Sequence, residues 1–171
     1  MRESQSTPSQ SNKIAFTAHL FLQDTTDRRS KPARQMETLS QIAVRYAETD
    51  QMGVVHHSHY PVYFEQGRTD FFIQHLRPYA EFEAQGILAP VLSYQVEILG
   101  RAGYGEVLQI RTRADWMKGV RLQMSYLLEI EGRAVARGSS LHGLVGPDLK
   151  PTNPRRFGPL FQELLKVFAR Q

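Results

Sequence analysis

The sequence predicts an α+β domain in which an antiparallel sheet curls round one long buried helix. Three observations carry that prediction. Apolar residues recur at helical spacing through residues 58–77, three later segments alternate apolar with polar residues and a fourth is rich in small ones, and glycines separate those segments. A strand, a long helix and then four consecutive strands make one sheet laid against one helix.

The elements follow in chain order. In "LSQIAVRY", starting at Leu39, the residues Ile42, Val44 and Tyr46 alternate with polar or small ones, which predicts a strand with Tyr46 pointing inward. The stretch "SHYPVYFEQGRTDFFIQHLR" places residues 60, 63, 64, 67 and 71 on one helical face, and Phe72, Ile73 and Leu76 widen it. Pro61 suits the first turn, where no N–H is needed, and Pro78 marks the stop. Beyond it, "PVLSYQVEIL" alternates Leu92, Tyr94, Val96 and Ile98 with polar residues, and "EVLQIRTRA" alternates Leu108 and Ile110 in the same way. "VRLQMSYLLEI" sets Val120, Leu122, Met124, Tyr126, Leu128 and Ile130 on one side, and after the turn "EGR" comes a strand of small residues, "AVARGSSLHGLV". The tail carries Phe157, Leu160, Phe161, Leu164, Leu165 and Phe168 at helical spacing, which predicts a short docked helix.

Composition bounds the function. The 171 residues, 41% hydrophobic and 22% charged, suit one globular domain. Cysteine is absent, which excludes a disulfide scaffold, a thiolate zinc site and a thiol nucleophile. The net charge of +4 is scattered, with small groups such as Lys118 and Arg121, and no nucleic-acid motif accompanies it; an anionic small molecule fits better. No apolar run reaches the length of a membrane span and no signal-peptide pattern opens the chain, so a cytoplasmic location is expected. Residues 1–38 read as a variable, loosely ordered extension, and residues 39–171 as a single domain ending in a helix.

The chemistry concentrates in "RYAETDQMGVVHHSHY", residues 45–60. Its three histidines invite a metal reading, but His56 and His57 are adjacent and would diverge on a helix, and neither an HExxH pattern nor a second carboxylate partner accompanies them. An acid in a turn just before a helix has another use. The first N–H groups of a helix lack internal partners and lie at its positive end, where they can hold a developing oxyanion.

Residues 40–146 resemble the hotdog-fold acyl-CoA thioesterases, in the branch of 4-hydroxybenzoyl-CoA thioesterase and the short-chain enzymes associated with the Tol-Pal system. Asp50, Gly53, Val54 and Val55 match the aspartate and the loop of that branch, while Tyr46 four residues before Asp50 and His57 seven after it match the Tol-Pal subgroup. The resemblance implies a hotdog fold and hydrolysis of an acyl-CoA to free acid and CoA without a cofactor. Asp50 would act as general base or nucleophile, Tyr46 and His57 would orient it or the water, and the helix N-terminus near His57 would hold the oxyanion. Gly53, Val54 and Val55 would shape the approach of the substrate, and Lys118 and Arg121 would contact the CoA phosphates, although Met117 and Gly119 break the family's basic run there. It further implies a homodimer or homotetramer with the site between subunits. An acyl-carrier-protein substrate, a hotdog hydratase and a non-catalytic acyl-thioester-binding protein stay open as alternatives.

Overall fold

The computed structural model describes residues 36–151 and 158–168. The leader up to residue 35 and Phe157 lie outside the described residues. Five strands form one sheet: β1 (Glu37–Ala43), β2 (Val91–Ile98), β3 (Val107–Lys118), β4 (Arg121–Ile130) and β5 (Arg133–Gly143). Their order is β1-β3-β4-β5-β2 and every pairing is antiparallel. Helix α1 (Tyr60–His75) lies across the inner face, followed by the short α2 (Tyr79–Ala84), and α3 (Gly158–Phe168) closes the described chain. This is the α+β arrangement that the order of elements predicts and the hotdog fold that the resemblance implies.

The predicted periods appear as faces. On β3 and β4 the residues Leu108, Ile110, Leu122, Met124, Tyr126 and Leu128 are all buried. Strand β1 begins two residues before Leu39, because its inward residues there are Thr38 and Ser40, hydroxyl side chains that an apolar pattern does not register. Helix α1 buries Tyr60, Tyr63, Phe64, Gly67, Phe71 and Phe72, the face predicted from spacing. Gly67 sets the closeness of that packing, since a Cβ at this position would stand 2.8 Å from Cγ2 of Ile110 and collide with Thr112 on β3. One turn earlier Phe64 stacks on Tyr126 of β4, ring centroids 4.4 Å apart and nearly parallel. In α3 the buried residues are Leu160, Phe161, Leu164, Val167 and Phe168, and Arg77 at the end of α1 grips Glu163 with two N–H donors at 2.9 and 2.7 Å.

Three expectations fail for physical reasons. Tyr46 is 77% exposed, because the chain leaves the strand after Ala43 and winds into a 3₁₀ turn over Tyr46–Glu48, which ends the alternation. Ile73 is exposed, two residues past the buried Phe71 and so roughly 200° round the helix from it. Leu92, Tyr94 and Ile98 on β2 are also exposed, because α1 lies mainly over β1 and β3 and barely reaches the β2 edge.

Candidate active site

The segment between β1 and α1 holds two acids two residues apart, and it treats them differently. Glu48 turns inward and is 1% exposed. Its carboxylate accepts the backbone N–H of Arg45 at 2.8 Å, Nε and Nη2 of Arg45 at 2.9 and 2.7 Å, and the Tyr63 hydroxyl at 2.9 Å. Burial alone would raise its pKa, but these donors together hold it below the ordinary glutamate value. Burial and the Glu48 charge in turn push the Tyr63 hydroxyl well above the usual tyrosine range. Glu48 therefore ties the start of the loop to the buried face of α1, and its backbone carbonyl ties the end as well, accepting the His56 N–H at 2.9 Å.

Between those ties Asp50 is presented on a tight turn. Thr49 bridges Val55, the Asp50 N–H donates to the Val54 carbonyl at 2.8 Å, and the Gly53 N–H returns to the Asp50 carbonyl at 2.9 Å. Gly53 closes the turn at φ +73°, a conformation open to a residue without Cβ. The Met52 N–H donates to Oδ1 of Asp50 at 2.8 Å, which orients the half-exposed carboxylate through one of its oxygens. Val54 bridges Gly103, while Val55 donates to the Ala102 carbonyl at 2.8 Å and buries its side chain in the core. The Val55 side chain is thus closed to a ligand and its N–H is already committed, against the expectation that it shapes the substrate's approach.

The chain next forms a 3₁₀ turn, His57–His59, that runs straight into α1. The exposed His57 stands first in this turn, and its N–H donates to no acceptor among the described residues. Nδ1 of His56 lies 2.8 Å from the Ser58 hydroxyl, and the His56 ring rests on the His57 ring with centroids 4.1 Å apart. Tyr46 packs edge-on against Tyr104, centroids 5.7 Å apart, on the solvent side of the same loop. Among the described residues no three His, Cys, Asp or Glu side chains converge to hold a metal ion.

Tyr46, Asp50, Gly53, Val54 and His57 thus share one loop. Lys118 and Arg121 do not join them. They face each other across the β3–β4 turn, with Nζ of Lys118 5.5 Å above the Trp116 ring, whereas the Asp50 loop is anchored just before β3 begins. The length of β3, roughly 35 Å when extended, separates the two groups within one chain.

Sequence reasoning missed Glu48 and Arg68. Glu48 carried a signal, because Arg45 and Glu48 stand at capping-box spacing and an acid so placed folds back on the chain. Arg68 lies on α1 between buried positions and lines two clefts beside the helix.

An antiparallel sheet laid on a central helix is also the architecture of the chain's relatives, which are thioester hydrolases. The chain belongs to the thioesterase-like superfamily, which it matches over residues 44–156. It is 32% identical over 121 residues to the "Putative acyl-CoA thioesterase YneP" of Bacillus subtilis (strain 168), covering 70% of this chain and 88% of that one. Among solved structures it is similar to TT1821 from Thermus thermophilus, with 36% identity, a TM-score of 0.70, and coverage of 77% of this chain and 98% of that one. It is likewise similar to a DHNA-CoA thioesterase from Staphylococcus aureus, with 30% identity, a TM-score of 0.72, and coverage of 77% and 90%.

Proposed function

We propose that the protein hydrolyses an acyl-CoA thioester to the free acid and CoA, with Asp50 as the reacting carboxylate. The observation that carries this reading is that one loop presents a half-exposed carboxylate, held among the described residues by a single N–H at Oδ1, and a His57 N–H with no acceptor among them, where the 3₁₀ turn enters α1. Asp50 either draws a proton from water or attacks the carbonyl carbon itself. In both routes a C–O bond forms, the carbonyl oxygen takes negative charge against the His57 N–H, and the C–S bond then breaks to release CoA as its thiol; when Asp50 is itself the nucleophile, water then cleaves the acyl–Asp50 anhydride to free the acid and restore the carboxylate. His57 and Tyr46 border the same loop, where they orient the carboxylate or water, and a histidine can carry the proton to the departing sulfur. Gly53 and Val54 shape the approach of the thioester.

The proposed site takes in a second copy of the chain. Lys118 and Arg121 are too far along β3 to meet a CoA bound at Asp50 of their own chain, and the β2 edge leaves Val91, Leu92, Tyr94 and Ile98 exposed. Pairing of two β2 edges covers those side chains and satisfies an open strand edge. We place the protein with the Tol-Pal-associated short-chain branch, as a cytoplasmic homodimer or a tetramer of dimers. No described helix is long and apolar enough to cross a membrane.

Release of free thiol from acyl-CoA by the wild type, compared with Asp50→Ala and Asp50→Asn, tests the reaction. Loss of turnover in both variants is expected, and turnover unchanged by both would overturn the assignment. For the nucleotide contact, Lys118→Ala is expected to raise KM for acyl-CoA more than for acyl-pantetheine. Light scattering after size exclusion reads the assembly.

A further inference from the structure

A mainly apolar groove runs along α1 away from the Asp50 loop, and hydrolysis as proposed leaves the arginine in it, Arg68, unused. One cleft, of about 180 Å³, is lined by Pro61, Val62, Glu65, Arg68, Val91 and Tyr94 among others. A second, of about 110 Å³, continues inward past Glu65, Arg68, Thr69, Phe72, Tyr79 and His142. Residues 61, 65, 68, 69 and 72 fall along one side of the helix, so the two clefts form one groove that starts at the first turn of α1.

Arg68 stands where the clefts meet. It is half-buried and forms no ion pair with a carboxylate among the described residues. The polar groups behind it are committed to one another. Nδ1 of His142 lies 3.2 Å from the Ala89 carbonyl, which can only accept, so this nitrogen carries the proton and Nε2 accepts from the Ser140 hydroxyl at 2.7 Å. Ser140 in turn accepts from the Tyr126 hydroxyl at 2.6 Å, and Arg68 bonds to Tyr126. Burial first, and the Arg68 charge second, hold the His142 pKa down to about 4, so the ring stays neutral at working pH. None of these three side chains supplies the negative charge that a half-buried guanidinium favours. The hydroxyl oxygen of Tyr79 accepts the Ala89 N–H at 2.7 Å, which leaves its own proton for the cleft. Glu65, the other charged lining residue, borders both clefts beside Arg68 but is exposed to solvent and forms no ion pair with it.

Given the thioester hydrolysis proposed above, on which this step rests, we propose that Arg68, with the hydroxyls of Tyr79 and Thr69, receives a carboxylate at the far end of the acyl group. Preferred substrates are then CoA half-thioesters of short dicarboxylic acids. From His57, where the thioester oxygen is held, to Arg68 the chain rises about 17 Å, and the arginine side chain leans back toward the helix start over part of it, which leaves a gap that a short acyl chain ending in a carboxylate can close.

Glutaryl-CoA and pentanoyl-CoA have acyl chains of equal length and differ in the terminal carboxylate, so their kcat/KM ratio reads the proposal directly. The wild type is expected to favour glutaryl-CoA on the order of tenfold or more, with Arg68→Met collapsing the ratio and Arg68→Lys restoring part of it. Pentanoyl-CoA turned over as well as glutaryl-CoA, or a ratio unmoved by Arg68→Met, overturns the carboxylate site while leaving thioester hydrolysis standing. The melting temperature with free glutarate or pentanoate separates the two ideas from the other side. If neither thioester is hydrolysed, yet glutarate alone stabilises the wild type and not Arg68→Met, the carboxylate site survives and hydrolysis falls. If neither thioester is hydrolysed and glutarate does not stabilise, the carboxylate site falls too.

Discussion

Glu48 and Asp50 sit two residues apart in one loop and are held in opposite ways. Glu48 accepts four hydrogen bonds and is sealed against α1; Asp50 accepts one at its side chain and faces half outward. A carboxylate whose lone pairs are all engaged cannot take a proton from water without breaking its partners, whereas one held by a single N–H is oriented and still available. The buried acid builds the loop, and the presented acid is the one proposed to react.

That contrast breaks most sharply in activity. Asp50→Ala is expected to lower kcat roughly 10³-fold, about 4 kcal/mol of barrier, with the melting temperature little changed. A large loss of stability in that variant would erase the distinction between the two acids. The buried histidine of β5 extends the comparison to a base. The folded-state pKa of His142 is about 4, below the roughly 6.5 of an unfolded histidine, so the unfolded chain binds the proton first. Its contribution is complete above about pH 6.5 and is lost as pH falls toward 4, up to roughly 3 kcal/mol. Denaturation midpoints across that window, compared with His142→Gln, measure the difference, and the variant is expected to flatten the acid limb.

Glu48→Ala is expected to cost about 2–3 kcal/mol of stability, because it strips partners from the buried Tyr63 hydroxyl and the Arg45 N–H. The Glu48 pKa is lowered in the folded state, so its contribution is present above the unfolded value and disappears as pH drops through the folded one. Chemical denaturation at neutral pH and below pH 4 checks both the size and the sign. Tyr63→Phe removes one of the four donors to Glu48 and is expected to cost about 1 kcal/mol, read by the same titration. If Tyr63→Phe instead abolished turnover at unchanged stability, Glu48 would belong to the chemistry as well.

Much of this was legible from the residues. Period-two alternation shows where a side chain must leave water, which is why the inner faces of β3 and β4 match expectation. It fails at β2, since alternation records a potential for burial and the helix does not reach that edge. It fails at Tyr46 because the strand ends in a capped turn set by Arg45 and Glu48, a local bond that outweighs the pattern. The loop carrying Asp50, Gly53 and His57 was readable because glycine, acid and helix start fall within a few residues. Arg68 was not, since a lone arginine on a helix shows no partner until the opposite wall of the groove is in view.

The length of β3 has a consequence for mixed assemblies. On the two-copy reading, each site takes Asp50 from one chain and Lys118 from the other. A heterodimer of Asp50→Ala and Lys118→Ala subunits then holds one site with both groups intact and one with neither. Mixing two impaired preparations should therefore regain activity, approaching half that of the wild type in each mixed pair, and dilution that separates the chains should take it away again.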